Sequence, residues 1–133
     1  MNNPEKNQFN EQLRERTVNM ASAVRNLLKS TSVDPIDRPI VNQLIRSSSS
    51  VAANYRSVTR GRSDAEFYSK ICIVAEESDE TLFWVDYLVR INVLTDSQTR
   101  MIRDELDQFV RLFATIKRKM KEKIERSGTG VMS

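Results

Sequence analysis

Residues 63–92 read SDAEFYSKICIVAEESDETLFWVDYLVRIN. Phe67, Ile71, Val74, Ser78, Leu82, Val85 and Leu88 recur at a spacing of three and four, which draws one stripe along an α-helix turning 100° per residue. Ser63 and Glu66 stand in the Ser-x-x-Glu relation of a capping box, in which hydroxyl and carboxylate each accept a backbone N–H of the first turn. The segment predicts a helix over 64–91. No glycine or proline interrupts it. A helix this long must bury its stripe against partners of similar length, and the flanking sequence supplies them.

Downstream, Thr95 and Gln98 form a second box, and Ile102, Leu106, Phe109, Phe113, Ile116, Met120 and Ile124 carry a stripe over 96–126. Upstream, Ile40, Leu44, Ser48, Val51, Tyr55 and Val58 mark a helix over 38–60, with Gly61 as its stop signal. The run Ser47–Ser50 sits inside that pattern, where small side chains let two helix backbones approach closely. The first helix spans 4–30 on Phe9, Leu13, Thr17, Met20, Val24 and Leu27, with Asn3 as N-cap and Pro4 in the first position. Thr31 to Pro39 is a loop. Short connections make successive helices antiparallel neighbours. Residues 1–126 therefore predict one domain, an all-α, up-and-down antiparallel four-helix bundle, and residues 127–133 a disordered tail. With three glycines and three prolines in 133 residues, the chain lacks the turn residues a β fold needs.

Composition narrows the chemistry. There is no histidine, which removes the commonest general base, the Ser-His-Asp arrangement and most zinc sites. No phosphate-binding glycine loop is present. The expectation is a non-enzymatic protein with no cofactor and no metal. A single cysteine, Cys72, forbids an internal disulfide and suits a reducing compartment. The first ten residues are polar and no apolar run reaches the roughly 18 residues of a membrane span, so a cytoplasmic location without membrane contact is expected.

The 64–91 helix carries more apolar surface than one stripe can use. Ile73, Trp84 and Ile91 lie together on one flank, and Cys72, Phe83 and Tyr87 point further round. A contiguous aromatic patch on a monomer is unusual and marks association, so these six residues are read as a subunit interface. The alternative is that they fill bundle edges under flanking side chains. On the same helix Glu76, Glu77, Asp79 and Glu80 form an acidic cluster, read as a solvated or ion-paired face and not as a metal site. Glu77 sits at the border with a neighbouring helix. It is expected to be partly buried and bonded to Arg46 or Asn54, in a network whose loss would cost roughly 3–5 kcal/mol if fully buried.

The net charge of +3 is unevenly spread. Residues 1–62 hold ten Lys/Arg against five Asp/Glu, residues 63–95 two against seven, and residues 96–133 nine against six. Arg56, Arg60 and Arg62 cluster at the end of the second helix; Lys117, Arg118, Lys119, Lys121, Lys123 and Arg126 cluster at the end of the fourth. Helices two and four run the same way in an up-down bundle, so both groups should share one end. A basic end suits weak, salt-sensitive binding to RNA or DNA. The competing account is that cations favour helix C-termini for the sake of the dipole.

Residues 46–88, RSSSSVAANYRSVTRGRSDAEFYSKICIVAEESDETLFWVDYL, also resemble the four-helix-bundle family named after proteins encoded in intervening sequences of bacterial large-subunit (23S) ribosomal RNA genes. Arg46, Ser47, Ser50, Val51, Ala53, Asn54, Tyr55 and Arg56 match the first part of its pattern. Ser63, Phe67, Lys70, Ala75, Glu77, Glu80, Thr81 and Trp84 match the second. Ser57 stands where the family commonly has Glu, and Ser48 where it commonly has Gly. The resemblance implies a homopentamer of four-helix protomers and no enzyme activity. It also implies kinship with accessory proteins of diversity-generating retroelements, which look like basic rings that bind nucleic acid and a reverse transcriptase. Two readings follow: a homo-oligomer that binds RNA or DNA through its basic end, or a purely structural or protein-binding oligomer.

Overall fold

The computed structural model describes residues 3–128. Four helices follow one another, α1 (Pro4–Lys29), α2 (Arg38–Val58), α3 (Asp64–Arg90) and α4 (Asp96–Ser127), with one 3-10 turn at Pro35–Asp37. No strand occurs among the described residues. Successive helices pack side by side, α2 against α3 most extensively, while α1 and α4 touch least. The architecture is the expected up-and-down bundle. Helix α4 continues through Ser127, with Gly128 as its C-cap; of the expected tail, residues 129–133 lie outside the described residues.

Three of the four helices start at a short side chain that accepts backbone donors, whereas Asp37 before α2 makes no such bond. Asn3 Oδ1 accepts from Glu5 and Lys6 N–H, and Thr95 and Gln98 form a complete box. At α3 the box is rerouted. Ser63 Oγ accepts from Glu66 N–H at 3.2 Å, but Glu66 reaches past Ser63 to the N–H of Arg62 at 2.8 Å. Gly61 does not close α2 through a left-handed conformation, since no glycine among the described residues has positive φ. It sits in a tight place: a Cβ there would lie 3.3 Å from the Val58 carbonyl oxygen and 3.4 Å from the Phe67 nitrogen. The left-handed cap is at the end of α3 instead. Asn92 has φ 66°, and the bonds Asn92 N–H to Val89 O and Val93 N–H to Leu88 O complete a Schellman motif. It turns Leu94 back into the core.

The core follows the stripes, from Leu13, Met20 and Val24 in α1 to Leu106, Phe109 and Phe113 in α4. Its centre is also lined by small polar residues, with Thr17, Ser47, Ser48, Ser78, Thr81 and Thr99 all buried. Each hydroxyl donates to a carbonyl of its own helix, as Ser78 does to Val74 and Thr81 to Glu77. These residues therefore need no partner across the interface and can serve as thin places where helices approach. Phe9, expected in the α1 stripe, is 43% exposed.

Three arginines tie helices together at the surface, and one of them, Arg103 of α4, reaches Asp86 of α3 at 3.1 Å. Arg16 of α1 donates to both carboxylate oxygens of Glu105 in α4, at 3.0 and 2.6 Å, and to Gln108 at 3.0 Å. Its guanidinium lies 5.2 Å from the Phe109 ring centre. Arg46 of α2 reaches Glu77 at 3.2 Å and Glu80 at 2.6 Å in α3, and Trp84 Nε1 donates to the same Glu80. Asn54 is not part of this group: its amide donates to Ser50 O and Oγ one turn back in α2. The Glu77 side chain is 17% exposed but Arg46 is 49% exposed, so water screens the pair and its worth falls from the buried range to about 1 kcal/mol or less. The hydrogen bond from Arg46 holds Glu80 below the usual carboxylate range.

Two outcomes are expected. Asn92→Gly should leave stability unchanged or raise it, whereas Asn92→Ala should lose about 1 kcal/mol in urea unfolding, because a Cβ disfavours the left-handed region and alanine cannot bond locally to compensate. Arg46→Ala should cost about 1 kcal/mol or less at neutral pH. A carboxylate with a lowered pKa contributes stability that is present above its unfolded value, about 4.3, and lost as pH falls through the folded one. Unfolding at pH 7 and pH 3 should therefore show the wild-type advantage over Arg46→Ala shrinking in acid.

Candidate nucleic-acid interface and subunit surface

The aromatic flank of α3 divides into a committed part and an open part. Trp84 and Ile91 are half-buried and pack against the core, and the Trp84 indole is tied to Glu80. Cys72 and Ile73 are half-buried. Phe83 is 55% exposed and Tyr87 38% exposed. Their rings stack with centres 5.9 Å apart, and the Phe83 ring meets Trp84 edge-on at 4.9 Å. One aromatic layer therefore runs from the Arg46–Glu80 tie out to solvent. Trp84 anchors it, and the faces of Phe83 and Tyr87 are what it presents.

The two basic groups share one end of the bundle. Tyr55 of α2 and Lys119, Lys123 and Arg126 of α4 line one groove, and Lys123 pairs with Asp64 at the start of α3 at 3.5 Å. Arg56, Arg60 and Arg62 project there, exposed. The α4 run is not one patch. Lys121 lies eighteen residues, five turns, beyond Arg103, which bridges to Asp86 of α3, so Lys121 and neighbouring Lys117 flank the α3 side. Lys119, Lys123 and Arg126 border the groove shared with α1, with Lys123 also reaching Asp64 of α3, and Arg118 pairs with Glu122 along the helix. Arg56, Arg60, Arg62, Lys117, Lys119 and Lys121 make no ion pair with another described residue.

The groove at this end has a volume of about 480 Å³. It lies between α1 and α4, beyond the Arg16–Glu105 clamp. Phe9, Phe67, Ile116 and Met120 form its apolar surface, and Lys6 adds a cation from α1 to those of α4. Tyr55 is buried beneath it. Its hydroxyl donates to Asn10 Oδ1 at 3.2 Å, and burial pushes its pKa up to about 12. Sequence reading did not single out Lys6. Its signal was available: Lys6 and Phe9 are one turn apart, at the end of α1 that an up-down bundle places beside the end of α4.

Glu77 and Glu80 are bound to Arg46, and no cluster of three or more metal-binding side chains occurs among the described residues. No helix among them is long and apolar enough to cross a membrane.

Comparison with known proteins agrees with this architecture. None of the curated proteins matches the chain. A crystal structure of a protein of unknown function from the S23 ribosomal protein family of Bacteroides thetaiotaomicron superposes with a TM-score of 0.68 at 24% identity, covering 78% of this chain and 96% of that one. At that identity the likeness is one of fold. The family model described as 23S rRNA-intervening sequence protein matches residues 10–115, a span that takes in the core of all four helices, and the chain belongs to that family.

Proposed function

We propose that this chain is a non-enzymatic cytoplasmic protein that assembles with copies of itself through the aromatic flank of α3 and binds RNA or DNA through its basic end. The observation that carries the nucleic-acid half is the group of six cations without ion-pair partners among the described residues, gathered from α2, the following loop and α4. Unpaired lysine and arginine side chains are the groups that displace counterions from phosphates. Contacts of this kind favour weak binding without sequence readout, and no base-reading motif is recognised in the sequence. Assembly would multiply the phosphate contacts, and the resemblance to pentameric proteins favours a closed ring of five.

A second reading keeps the assembly and drops the nucleic acid. It draws on the exposed Phe83–Tyr87 stack, which serves association whatever the basic end does. Two measurements separate them. Light scattering should give a mass several times that of the 15.4 kDa chain, falling in Phe83→Glu; a monomer at micromolar concentration in the unmutated protein overturns the assembly. Filter binding with RNA and DNA at low salt tests the other half. Replacing Lys117, Lys119, Lys121 and Lys123 with Gln should weaken binding and reduce the salt slope by roughly 3 if each meets a phosphate. Absence of any binding at low salt leaves the structural oligomer as the function.

A further inference from the structure

We propose that the groove at the basic end receives unpaired bases, so that the chain prefers single-stranded nucleic acid to duplex. The inference rests on the nucleic-acid reading above and narrows it to one class of strand. Its starting point is Phe9, which falls on the inward stripe of α1 yet is 43% exposed. Below it the stripe is covered, beginning with Leu13. The covering fails at Phe9 because α1 and α4 are clamped further in, at Arg16 and Glu105, and barely touch elsewhere. The facing residues of α4, Ile116 and Met120, are themselves only half-buried. The result is an apolar slot with an aromatic wall, open at the bundle end.

Its rim is cationic. Lys6 stands on one side and Lys119 on the other, with Lys123 beside it held by Asp64, and the two lysines that make no ion pair with another described residue favour an anionic occupant over a neutral apolar one. Of anionic polymers, an unpaired strand matches the slot in both respects: phosphates meet the lysines while a base leaves water against an aromatic ring. A duplex matches only the rim, because its bases are already stacked and paired. The slot, about 480 Å³, lies in the range of pockets that enclose small organic groups. Beneath it the Asn10–Tyr55 hydrogen bond gives the floor a polar point within reach of a base edge.

The test compares a fluorescein-labelled oligothymidylate with a mixed-sequence duplex of equal length at one low salt concentration, using the full chain. The single strand should bind more tightly. Phe9→Ala should weaken single-strand binding about fivefold or more and leave duplex binding unchanged, whereas Lys6→Gln with Lys119→Gln should weaken both. Phe9→Trp should retain binding and show fluorescence quenching by the oligothymidylate beyond that of the Trp84 background. Equal affinity for the two forms, or an equal effect of Phe9→Ala on both, overturns this inference while leaving electrostatic binding intact. Loss of all binding in the unmutated chain overturns the underlying reading instead. An acidic amphipathic peptide that binds in a Phe9-dependent way while the oligothymidylate does not assigns the slot to a protein segment and also overturns the inference.

Discussion

The close approach of α2 and α3 is the constraint on which the rest of the bundle depends. It is possible because both helices present small residues along part of their contact, Ser47 and Ser48 on one, Ser78 and Thr81 on the other, all buried. A buried hydroxyl without a partner would cost free energy comparable to the packing it permits. Here each hydroxyl donates to a carbonyl three or four residues back in its own helix, so none depends on the neighbour for satisfaction. Packing in this part of the contact then needs no hydroxyl partner across the seam. With one side of the bundle drawn tight, the larger side chains, Phe109 and Phe113 among them, fill the remaining volume nearer α1 and α4. Those two helices end up the least closely packed pair.

That asymmetry determines what the surface arginines do. Arg46 spans a seam already closed by packing, and its bonds to Glu77 and Glu80 add little stability in water-exposed surroundings. Its larger effect is orientation. One oxygen of Glu80 accepts from both the Arg46 guanidinium and the Trp84 indole, which sets the ring that Phe83 and Tyr87 meet edge-on while they stack on each other. Arg16 spans a seam that packing leaves loose, and its two-pronged contact with Glu105 is the main tie there between α1 and α4. A fork of two parallel bonds fixes both distance and angle. Beyond it, toward the basic end, an apolar groove lies between the two helices.

Much of the fold was legible because its signals are local. Asn3, Ser63 and Thr95 cap their helices as their types predict, and the stripes contain most of the observed core. What was illegible depends on how helices sit against one another. Ser47 is buried along with Ser48 because α2 lies between α1 and α3, so its covered arc is wider than one stripe. Phe9 obeys the period and is exposed all the same, since periodicity says which way a side chain points and not whether anything stands opposite. Gly61 follows the end of α2 and bonds back to the Val58 carbonyl, but without a left-handed conformation, and its closeness to Phe67 is a tertiary fact the sequence does not carry. Asn54 looked like a partner for Glu77, but an asparagine side chain can turn back to its own helix, and Ser50 supplies both a carbonyl and a hydroxyl there. The surface residues could be named from sequence, but the division of the α4 lysines between two flanks required knowing which neighbour lies on each side.

The placement of charge gives these surfaces a common logic. Residues 63–95 hold seven acidic side chains and two basic ones. Glu76 and Asp79 are exposed on α3, the helix that bears the open aromatic layer. A polyanion approaching the protein meets repulsion along α3 and attraction at the end where α2 and α4 finish. On the proposed reading, the acidic helix keeps nucleic acid away from the surface that subunits use and directs it to the basic end. Such steering acts over about 10 Å at moderate ionic strength and weakens as salt rises. The stacked faces of Phe83 and Tyr87 respond little to salt, because apolar association carries no counterion term. Assembly and nucleic-acid binding on one small bundle would then differ in their response to ionic strength, with assembly persisting at salt concentrations that release the strand.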